Sequence, residues 1–568
     1  MAENYEIAKV LDETANMLEV AGENFFRVRA YRNAARAIRD QTVRVADLTQ
    51  EQIDEIPGIG ADLAEKIKSV ATTGDLVLHH DLAAKFPPGL LELRDLPGLG
   101  PKRLKLLIDH LHIRNRDDLA RAIKSERIRE IRGFGPKIEE RILESLAHHE
   151  PAEAKRILYI EAARIAAQLG AYLRKCAAIK ELEVAGSFRR RRETVGDLDI
   201  VAAATDSAAV TEHFIAFPGV AQVTGSGGTK TTVVLKDGLQ VDLRVVPPKS
   251  FGAALTYFTG SKSHNVHLRR IAQGRGLLLN EYGLERDGSV IAGRTEEEIY
   301  RALGLAWVPP ELREDRGEIE AAVVGKLPQL IERGDLRGDL HTHSLYTDGR
   351  ASIAEMVRRA QEIGLEYIAI TDHSRRVAMT HGLEPKRLRE QRREIDRIRR
   401  KLAGITLLHG IEVDILEDGT LDLPNEALAE LDWVVASVHY KLEHNPAEMT
   451  RRLLKAIRNP NVDAIGHPSG RLLGHREPSQ FDLREILRVA REEGCALEVN
   501  SQPDRLDLND TACMAAKQAG VKLVISSDAH SPRDFDLLEY GVNQARRGWI
   551  EKKDILNTRP VEKLRLRA

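Results

Sequence analysis

Gly186-Ser187-Phe188-Arg189-Arg190-Arg191-Arg192-Glu193-Thr194-Val195-Gly196-Asp197-Leu198-Asp199-Ile200 is the stretch that decides the fold of the middle of the chain. Its pattern predicts a basic loop between two strands. Because strand side chains alternate between faces, Asp197 and Asp199 are expected to point the same way. Two neighbouring carboxylates repel each other unless a cation lies between them, which indicates a divalent metal such as Mg²⁺. The Gly-Ser turn and its arginines offer donors to phosphate oxygens, so the stretch predicts phosphoryl or nucleotidyl transfer.

A third carboxylate follows in a predicted hairpin. Two apolar runs, 231–235 and 239–246, flank the turn Lys236-Asp237-Gly238, a pattern typical of paired strands. Asp242 lies within the second run, where an unpaired carboxylate would be costly, so it is the natural third metal ligand. The alternative for the opening stretch alone is a basic surface hairpin with two solvated aspartates.

These residues resemble the nucleotidyltransferase motif of the DNA polymerase X family, which includes DNA polymerase beta. The resemblance implies that Asp197 and Asp199 hold two metal ions, Mg²⁺ or Mn²⁺, and that Asp242 holds the catalytic one beside a primer 3′-hydroxyl. It implies gapped or primed DNA and dNTPs as partners. Lys262 departs from the family by replacing an aspartate near the incoming base. The positions implied for nucleotide binding are Ser187, Arg190, Gly196, Tyr257, Phe258, Thr259, Gly260, Asn265 and Arg269.

A glycine pattern repeats three times upstream of this region. It predicts helix-hairpin-helix units, in which close backbone approach and helix N-termini grip DNA phosphates independently of base sequence. The alternative is a tight turn between helices without a ligand. The glycines of the three copies are Gly58 and Gly60, Gly98 and Gly100, and Gly133 and Gly135.

The first of these units also resembles the lyase domain of the polymerase beta family. Lys66 falls on the position of the lysine that forms a Schiff base there, and Tyr31 on a family tyrosine. Asp62 stands one helical turn before Lys66, where the family has another lysine. An acid at this position favours the ammonium form and weakens the lyase hypothesis, so Lys66 as an ordinary surface lysine is the alternative.

From about residue 335 apolar strand-like runs alternate with amphipathic helices, and polar residues follow the runs. Seven such strands predict an α/β barrel with its functional side chains at the carboxyl ends of the strands. The set resembles the PHP (polymerase and histidinol phosphatase) domain, which implies three metal sites and phosphoester hydrolysis. Imidazole mixed with carboxylate favours Zn²⁺ or Mn²⁺, up to three ions. The implied sites are His341, His343, Glu412 and Asp528; Glu412, His439 and His467; and Asp348, His373 and His530.

Composition places few further limits on function. The 568 residues carry 85 Lys+Arg against 87 Asp+Glu, so net charge does not indicate nucleic-acid binding. Three cysteines without CxxC spacing fit a reducing compartment. The absence of a signal-peptide pattern and of a long apolar run predicts a cytoplasmic protein without membrane contact. A monomer is expected.

The sequence therefore predicts a multidomain protein with α+β and α/β parts: helical helix-hairpin-helix domains, a nucleotidyltransferase palm and thumb, and a (β/α)7-type PHP barrel. It predicts gap-filling DNA synthesis in repair, together with 3′–5′ exonuclease and, as alternatives, abasic-site endonuclease or 3′-phosphatase activity. The rivals are a hydrolase that uses the front half only to bind DNA, a non-catalytic DNA-end scaffold, and hydrolysis of a small phosphoester. The predicted boundaries are 1–85 (lyase-like domain), 86–150 (helix-hairpin-helix fingers-type domain), 151–247 (palm), 248–315 (thumb), 316–334 (linker) and 335–568 (PHP domain).

Overall fold

The structure, a computed structural model, divides into two compact units, Met1–Lys155 and Arg156–Ala568. Each unit has its own hydrophobic clusters. The described residues are 4–39, 45–56, 58–86, 93, 99–111, 113–114, 116–125, 127–131, 134–135, 138–139, 142, 156–376, 380–443 and 445–565.

The first unit is helical throughout its described part. Apolar side chains at helical spacing, such as Leu11, Ile38 and Ile67, bury one face of each of the first helices in a shared core. A second core forms around Leu104 and Leu119. The helices are α1 (Asn4–Ala21), α2 (Phe25–Arg39), α3 (Gln50–Asp54), α4 (Ala61–Thr73), α5 (Val77–Lys85), α6 (Pro101–Leu111) and α7 (Arg116–Lys124).

The second glycine of each repeat makes the same backbone hydrogen bonds at the start of the following helix. The carbonyls of Gly60, Gly100 and Gly135 each accept backbone N–H groups three and four residues further on. Gly58 has a φ of 93°, which favours glycine, and a Cβ at Gly58 or Gly60 would meet no atom within 4 Å. The loop is therefore open to a close ligand, as the hairpin hypothesis requires. Two predicted positions lie outside the described residues: Gly98 and Gly133.

The palm is built on a five-stranded sheet with the order β2-β4-β7-β6-β5. The predicted hairpin is confirmed as the antiparallel pair β6–β7, whereas β4 pairs with β7 in parallel. The predicted loop after Gly186 begins instead with a helical turn. The elements are β1 (Ile157–Leu158), α8 (Tyr159–Leu173), β2 (Ile179–Val184), α9 (Gly186–Arg189), β3 (Thr194–Val195), β4 (Asp197–Ala204), α10 (Ser207–Ile215), β5 (Val220–Ser226), β6 (Lys230–Leu235) and β7 (Gln240–Val246).

The thumb packs helices against a small antiparallel sheet with the order β10-β9-β8. Its core includes Leu268, Leu284 and Ile299. A capping box at Thr295 starts its third helix. The elements are α11 (Phe251–Thr259), α12 (Lys262–Gly274), β8 (Leu278–Asn280), β9 (Gly283–Arg286), β10 (Ser289–Ala292), α13 (Glu296–Ala302) and, after the thumb, α14 (Glu318–Val323).

The carboxy-terminal part is a parallel barrel of seven strands in sequence order. A parallel bridge between Thr342 and Ala529 nearly closes it. The strands are β11 (Gly338–Thr342), β12 (Tyr367–Ile370), β13 (Thr406–Asp414), β14 (Trp433–Ser437), β15 (Ala464–Ile465), β16 (Ala496–Asn500) and β17 (Leu523–Ser526). The helices are α15 (Ile353–Glu362), α16 (Pro385–Arg399), α17 (Asn425–Leu428), α18 (Pro446–Ile457), α19 (Leu483–Glu493), α20 (Asp510–Ala519) and α21 (Leu538–Arg547).

The predicted fold class is confirmed by this architecture. Every residue of β11, β12, β14, β16 and β17 is buried, because helices cover the outer face of the barrel and side chains fill its interior. The carboxyl ends of the strands meet at one rim. Among the described helices, none is both long and apolar enough to cross a membrane.

Two glycines in the thumb test how tightly it is packed. A Cβ at Gly252 would lie 2.2 Å from the backbone carbon of Thr295, whereas one at Gly274 would meet nothing within 4 Å. We expect Gly252→Ala to destabilise the protein by about 1–3 kcal/mol through overpacking. Gly274→Ala is the matched control and should be neutral or stabilise by up to about 1 kcal/mol. Thermal unfolding measures both, and an equal melting temperature for the two variants would contradict the packing.

Candidate active sites in the palm and the barrel

The palm carboxylates converge because of strand register. On β4 the side chains of Asp197 and Asp199 are half-buried on one face, and Leu198 between them is buried on the other. Asp242 on β7 is the direct parallel partner of Asp199. The three predicted ligands therefore lie side by side on the same face of the sheet.

These carboxylates have too few cations around them. Burial, followed by the charges of Asp197 and Asp242, raises the pKa of Asp199 to about 7. Lys230 Nζ lies 2.7 Å from Asp242 Oδ2, and the Thr232 hydroxyl donates to Asp242 Oδ1 over 2.6 Å. Burial and the neighbouring carboxylates raise the pKa of both Asp197 and Asp199, and they outweigh Lys230, Arg156 and Arg190, which act to lower the pKa of one or both. A set of oxygen ligands of this kind suits Mg²⁺ or Mn²⁺.

The Gly-Ser turn passes directly over the metal-ligand face. A Cβ at Gly186 would lie 2.4 Å from Asp199 Oδ2, and the φ of Gly186 is 62°. Only glycine fits this position. Ser187 is the second residue of α9 and is half-buried. At the end of the turn, a Cβ at Gly196 would approach Arg156 Nη1 to 3.1 Å.

Arg190, the implied triphosphate ligand, is bound to protein groups in this structure. Its Nε donates to Glu314 Oε1 over 3.1 Å, and its Nη1 donates to the carbonyl of Thr259. The neighbouring Arg189 pairs with Glu296 at 2.8 Å, a carboxylate that also pairs with Arg313 at 2.7 Å. Glu296 and Arg313 are both buried. Arg189 and Arg190, two of the four arginines of the turn, are therefore bound by residues of the thumb.

The implied nucleotide pocket lies at the end of α11 and the start of α12. Tyr257 is 37% exposed, and the Arg244 guanidinium lies 4.9 Å from the centre of the Phe258 ring. Asn265 Nδ2 donates to the carbonyl of Tyr257, and Arg269 Nε donates to the carbonyl of Asn265. Tyr257, Asn265 and Arg269 are therefore connected in series by these two hydrogen bonds. Two further implied positions follow Phe258 directly: Thr259, buried, and Gly260, with a φ of 70°.

Lys66 in the first unit is held as an ammonium ion. Its Nζ lies 2.5 Å from Asp62 Oδ2 and 5.9 Å from the centre of the Tyr31 ring. Partial burial acts to lower the pKa of Lys66, but the hydrogen bond to Asp62 and the proximity of Tyr31 raise it above its ordinary value. A protonated amine is not a nucleophile, so Asp62 opposes Schiff-base chemistry here.

In the barrel, the nine implied ligands gather at the rim formed by the strand ends. Glu412 is central, because four imidazoles lie within 3.4 Å of its carboxylate oxygens. The separations from Glu412 are 3.4 Å for His341 Nε2, 2.8 Å for His373 Nδ1, 3.2 Å for His439 Nε2 and 2.9 Å for His467 Nε2. His343 Nε2 lies 3.1 Å from Asp528 Oδ1, and His373 Nε2 and His530 Nε2 each lie 3.3 Å from Asp348 Oδ2.

The donor set fits metal ions. His341 Nε2 and both ring nitrogens of His343 are buried without a properly directed hydrogen bond. Burial and the nearby His530 and His373 lower the pKa of His343 to about 3, so its imidazole is neutral and free to bind a cation. Three groups of ligand atoms are compact enough to hold an ion, and their members are His343, Asp348, His373 and His530; His341, His343 and Asp528; and His373, Glu412 and His439.

Carboxylates that the sequence interpretation missed orient these ligands. Glu498 Oε1 accepts from His341 Nδ1 at 2.7 Å, which leaves Nε2 to face Glu412 and Asp528. Its other oxygen accepts from the backbone N–H of His467. Asp414 pairs in the same way with His439 Nδ1 at 3.2 Å. Glu498 lies in the apolar run of β16, so the argument that singled out Asp242 could have found it.

The raised pKa of Asp199 predicts a pH-dependent stability. The folded protein keeps this proton up to about pH 7, whereas the unfolded chain releases it near pH 4. Stability from this group is therefore present below pH 4 and is lost as the pH rises to 7. After chelation of metals, Asp199→Asn should stabilise the protein at pH 8 by about 2–4 kcal/mol and have little effect at pH 4.

Thermal unfolding across this pH range measures the effect, with the exposed Glu212→Gln on α10 as control. Added Mg²⁺ should stabilise the wild-type protein more than Asp199→Asn. A constant difference between wild type and Asp199→Asn from pH 4 to pH 8 would contradict the assignment.

Glu498 should control metal retention in the barrel. In Glu498→Gln the negative charge that fixes the His341 tautomer is lost, and we expect metal affinity to fall roughly 10–100-fold. Metal analysis after dialysis against graded chelator measures it. Glu492→Gln, an exposed change on α19, is the control. Equal metal retention by Glu498→Gln and Glu492→Gln would contradict the proposal that Glu498 orients His341.

Four known families match parts of the chain. Residues 2–76 match a helix-hairpin-helix domain, residues 90–147 a SAM-like helix-hairpin-helix tandem, residues 254–314 the DNA polymerase beta thumb and residues 339–502 the PHP domain. These matches cover the helical unit, the thumb and most of the barrel.

Individual proteins extend the likeness to the whole chain. The chain is 37% identical over 561 residues, 98% of both chains, to a DNA polymerase/3′-5′ exonuclease PolX of Bacillus subtilis (strain 168). It is 32% identical over 236 residues to a probable phosphatase of Thermoanaerobacter sp. (strain X514), which is 39% of this chain and 89% of that protein. Because the first likeness runs from end to end, the chain belongs to the DNA polymerase X family, in the group that carries a PHP domain.

Proposed function

We propose that the protein is a DNA-templated DNA polymerase that fills short gaps during repair and also hydrolyses phosphoester bonds at DNA 3′ ends. The observation that carries this is the presence of two separate ligand sets in one chain. Asp199 and Asp242 are direct strand partners in the palm, and nine imidazoles and carboxylates meet at the barrel rim. The relative from Bacillus subtilis bears both activities in its name.

In the palm, the chain's own groups position the reactants. Asp197, Asp199 and Asp242 would hold Mg²⁺ or Mn²⁺, which lowers the pKa of a primer hydroxyl and neutralises the departing pyrophosphate. Asp242 accepts the hydroxyl proton. Its place next to Thr232 and Lys230 orients one carboxylate oxygen toward each, so the side chain is fixed before the substrate binds.

Nucleotide binding and selection depend on the Gly-Ser turn and on residues at the end of α11 and the start of α12. Ser187, Arg190 and Gly196 bind the triphosphate, and the Tyr257–Phe258 pair packs against the sugar and disfavours a ribose 2′-hydroxyl. Asn265 and Arg269 face the nascent base pair and the template minor groove. The exposure of Tyr257 supports this role, because a core tyrosine would be buried.

The barrel uses the chemistry of metal-assisted hydrolysis. His341, His343, Glu412 and Asp528 form one site, Glu412, His439 and His467 a second, and Asp348, His373 and His530 a third, suited to Zn²⁺ or Mn²⁺. The substrate is a DNA 3′ end, with abasic sites and 3′-phosphates as related phosphoesters. Short-range contacts of Glu412 with imidazoles from several strand ends support a cluster rather than a single ion.

The helical unit supplies the DNA grip. The common helix-start geometry at Gly60, Gly100 and Gly135 presents backbone N–H groups to phosphates without reading bases. This suits a repair enzyme that must accept any sequence. Schiff-base lyase activity at Lys66 remains a weaker proposal, because Asp62 pairs with the ammonium group.

A second candidate is supported by the relatives that match only the barrel. Probable phosphatases of Thermoanaerobacter and Caldicellulosiruptor saccharolyticus cover 39% and 35% of this chain. In this alternative the barrel hydrolyses phosphoesters while the front half only binds DNA. Failure of the wild-type protein to incorporate dNTPs on gapped DNA would favour it, and faster hydrolysis of histidinol phosphate than of a DNA 3′ end would favour a small substrate.

Separation of the two activities tests the main proposal. Asp242→Asn should lower dNTP incorporation on gapped DNA by roughly 10²–10⁴-fold while 3′-end hydrolysis continues, because only the palm loses its base and metal ligand. His341→Ala should do the reverse. Both are measured on one end-labelled gapped duplex with Mg²⁺ or Mn²⁺. Loss of both activities in either variant would contradict two independent sites.

A further inference from the structure

The last helix of the barrel, α21, packs against the polymerase core. The Tyr540 ring lies 6.0 Å from that of Tyr159 on α8, and the Tyr159 ring stacks on Phe188 at 4.9 Å. Phe188 belongs to α9, in the Gly-Ser turn. The same helix rests on the barrel strands, since a Cβ at Gly541 would lie 2.1 Å from Ser501 Oγ and 2.8 Å from Ile525 Cγ2. One helix therefore touches both the metal-bearing barrel and the proposed triphosphate turn.

Arg547, at the end of α21, joins three segments with one guanidinium group. Its Nη1 donates to the carbonyl of Arg190 over 2.7 Å and to Glu314 Oε1 over 3.1 Å. Its Nη2 donates to Asp510 Oδ2 over 2.6 Å. The residue is only 3% exposed. A planar fork with several donors can satisfy these acceptors together, which a lysine could not.

A second clamp holds the far side of the turn. Glu193 receives two hydrogen bonds from Arg471, at 2.6 and 3.2 Å, and one from Gln544 of α21 at 2.7 Å. Arg471 and Gln544 are both buried. The turn from Gly186 to Gly196 is thus fixed to the barrel at the main chain of Arg190 and at the side chain of Glu193.

Glu314 accepts hydrogen bonds from both Arg547 and Arg190, the proposed triphosphate ligand. Burial acts to raise the pKa of Glu314, but Arg547, Arg190 and Arg192 together lower it to about 2. The carboxylate is therefore ionised and needs a cation at all times. If Arg190 turned toward a triphosphate without Arg547 present, Glu314 would keep only the longer-range charges of Arg192, whose Nη1 lies 3.8 Å away, and of Arg316.

We propose that Arg547 is a positioning residue for nucleotidyl transfer: it holds the main chain of the triphosphate turn and neutralises Glu314, so that the Arg190 guanidinium can bind the incoming nucleotide. The barrel is then a structural part of the polymerase's nucleotide site. This inference rests on the proposed polymerase function. The hydrogen bonds of Arg547 go to the Arg190 carbonyl, Glu314 and Asp510, none of which is a proposed metal ligand, so it acts through Arg190.

Steady-state incorporation on gapped DNA with the full-length protein tests the proposal. In Arg547→Gln the KM for dNTP should rise roughly tenfold, with a smaller change in kcat, because ground-state binding of the triphosphate is lost. Adding Glu314→Gln to Arg547→Gln should lower the KM again, since Arg190 is no longer held by an isolated buried carboxylate. Arg546→Gln is the matched control, because Arg546 bonds Glu311 and the carbonyl of Ile331 and does not contact the turn.

Amide hydrogen exchange of peptides spanning residues 186–196 gives a readout that needs no polymerase activity. Exchange should be faster in Arg547→Gln than in the wild type and in Arg546→Gln. Metal content and 3′-end hydrolysis, unchanged in all variants, confirm that the barrel is folded. Arg547→Lys, which keeps the charge but not the planar fork, should also raise the KM for dNTP and speed exchange, each to a smaller extent than Arg547→Gln.

The outcomes separate this inference from the proposed function. Unchanged exchange in residues 186–196 overturns the positioning role, whatever the activity of the wild type. An unchanged KM, or a double variant no better than Arg547→Gln, also overturns it when the wild type polymerises. A wild-type protein that incorporates no dNTP overturns the proposed function, and the exchange measurement still decides whether Arg547 holds the turn.

Discussion

The parallel pairing of β4 with β7 is the constraint on which the palm depends. It sets Asp199 opposite Asp242, with Asp197 two residues away on the same face. In water such carboxylates would separate, but the strand register does not allow it. The surrounding groups reduce the repulsion without removing it: Lys230 and Thr232 satisfy Asp242, and Gly186 leaves room for Asp199. The remaining repulsion suits this cluster of oxygen ligands to divalent cations.

In the barrel the pKa values of the central acids are lowered, whereas in the palm the pKa of Asp199 is raised. Glu412 and Asp528 are buried, which acts to raise their pKa, yet the surrounding imidazoles lower the pKa of both well below the ordinary values. Each carboxylate therefore has nitrogen donors as neighbours rather than other acids. The palm is a hard oxygen site that suits Mg²⁺, whereas the barrel is a mixed site that suits ions of intermediate softness. One chain can thus keep two kinds of metal chemistry apart by ligand type alone.

Local patterns in the sequence named most of the residues that the structure brings together in the two candidate sites. The period of two in Asp197-Leu198-Asp199, and a polar residue at each barrel strand end, are read directly from spacing. The parallel register of β4 and β7 was not visible, because hairpin signals report only antiparallel neighbours. The helical turn α9 was missed because its four residues, Gly186–Arg189, are too few to show an apolar period. Arg547 lies 357 positions from Arg190, beyond the reach of any local pattern.

Two of the four arginines of the Gly-Ser turn, Arg189 and Arg190, are bound in different ways. Glu296 accepts two hydrogen bonds from Arg189 and two from Arg313, so this buried carboxylate binds both guanidinium groups in a bidentate manner. Arg190 has one hydrogen bond to a carboxylate that Arg547 also satisfies. Exchanging that bond for a phosphate oxygen leaves no buried charge unpaired. The turn therefore holds Arg189 through a carboxylate shared with Arg313 and Arg190 through a carboxylate shared with Arg547.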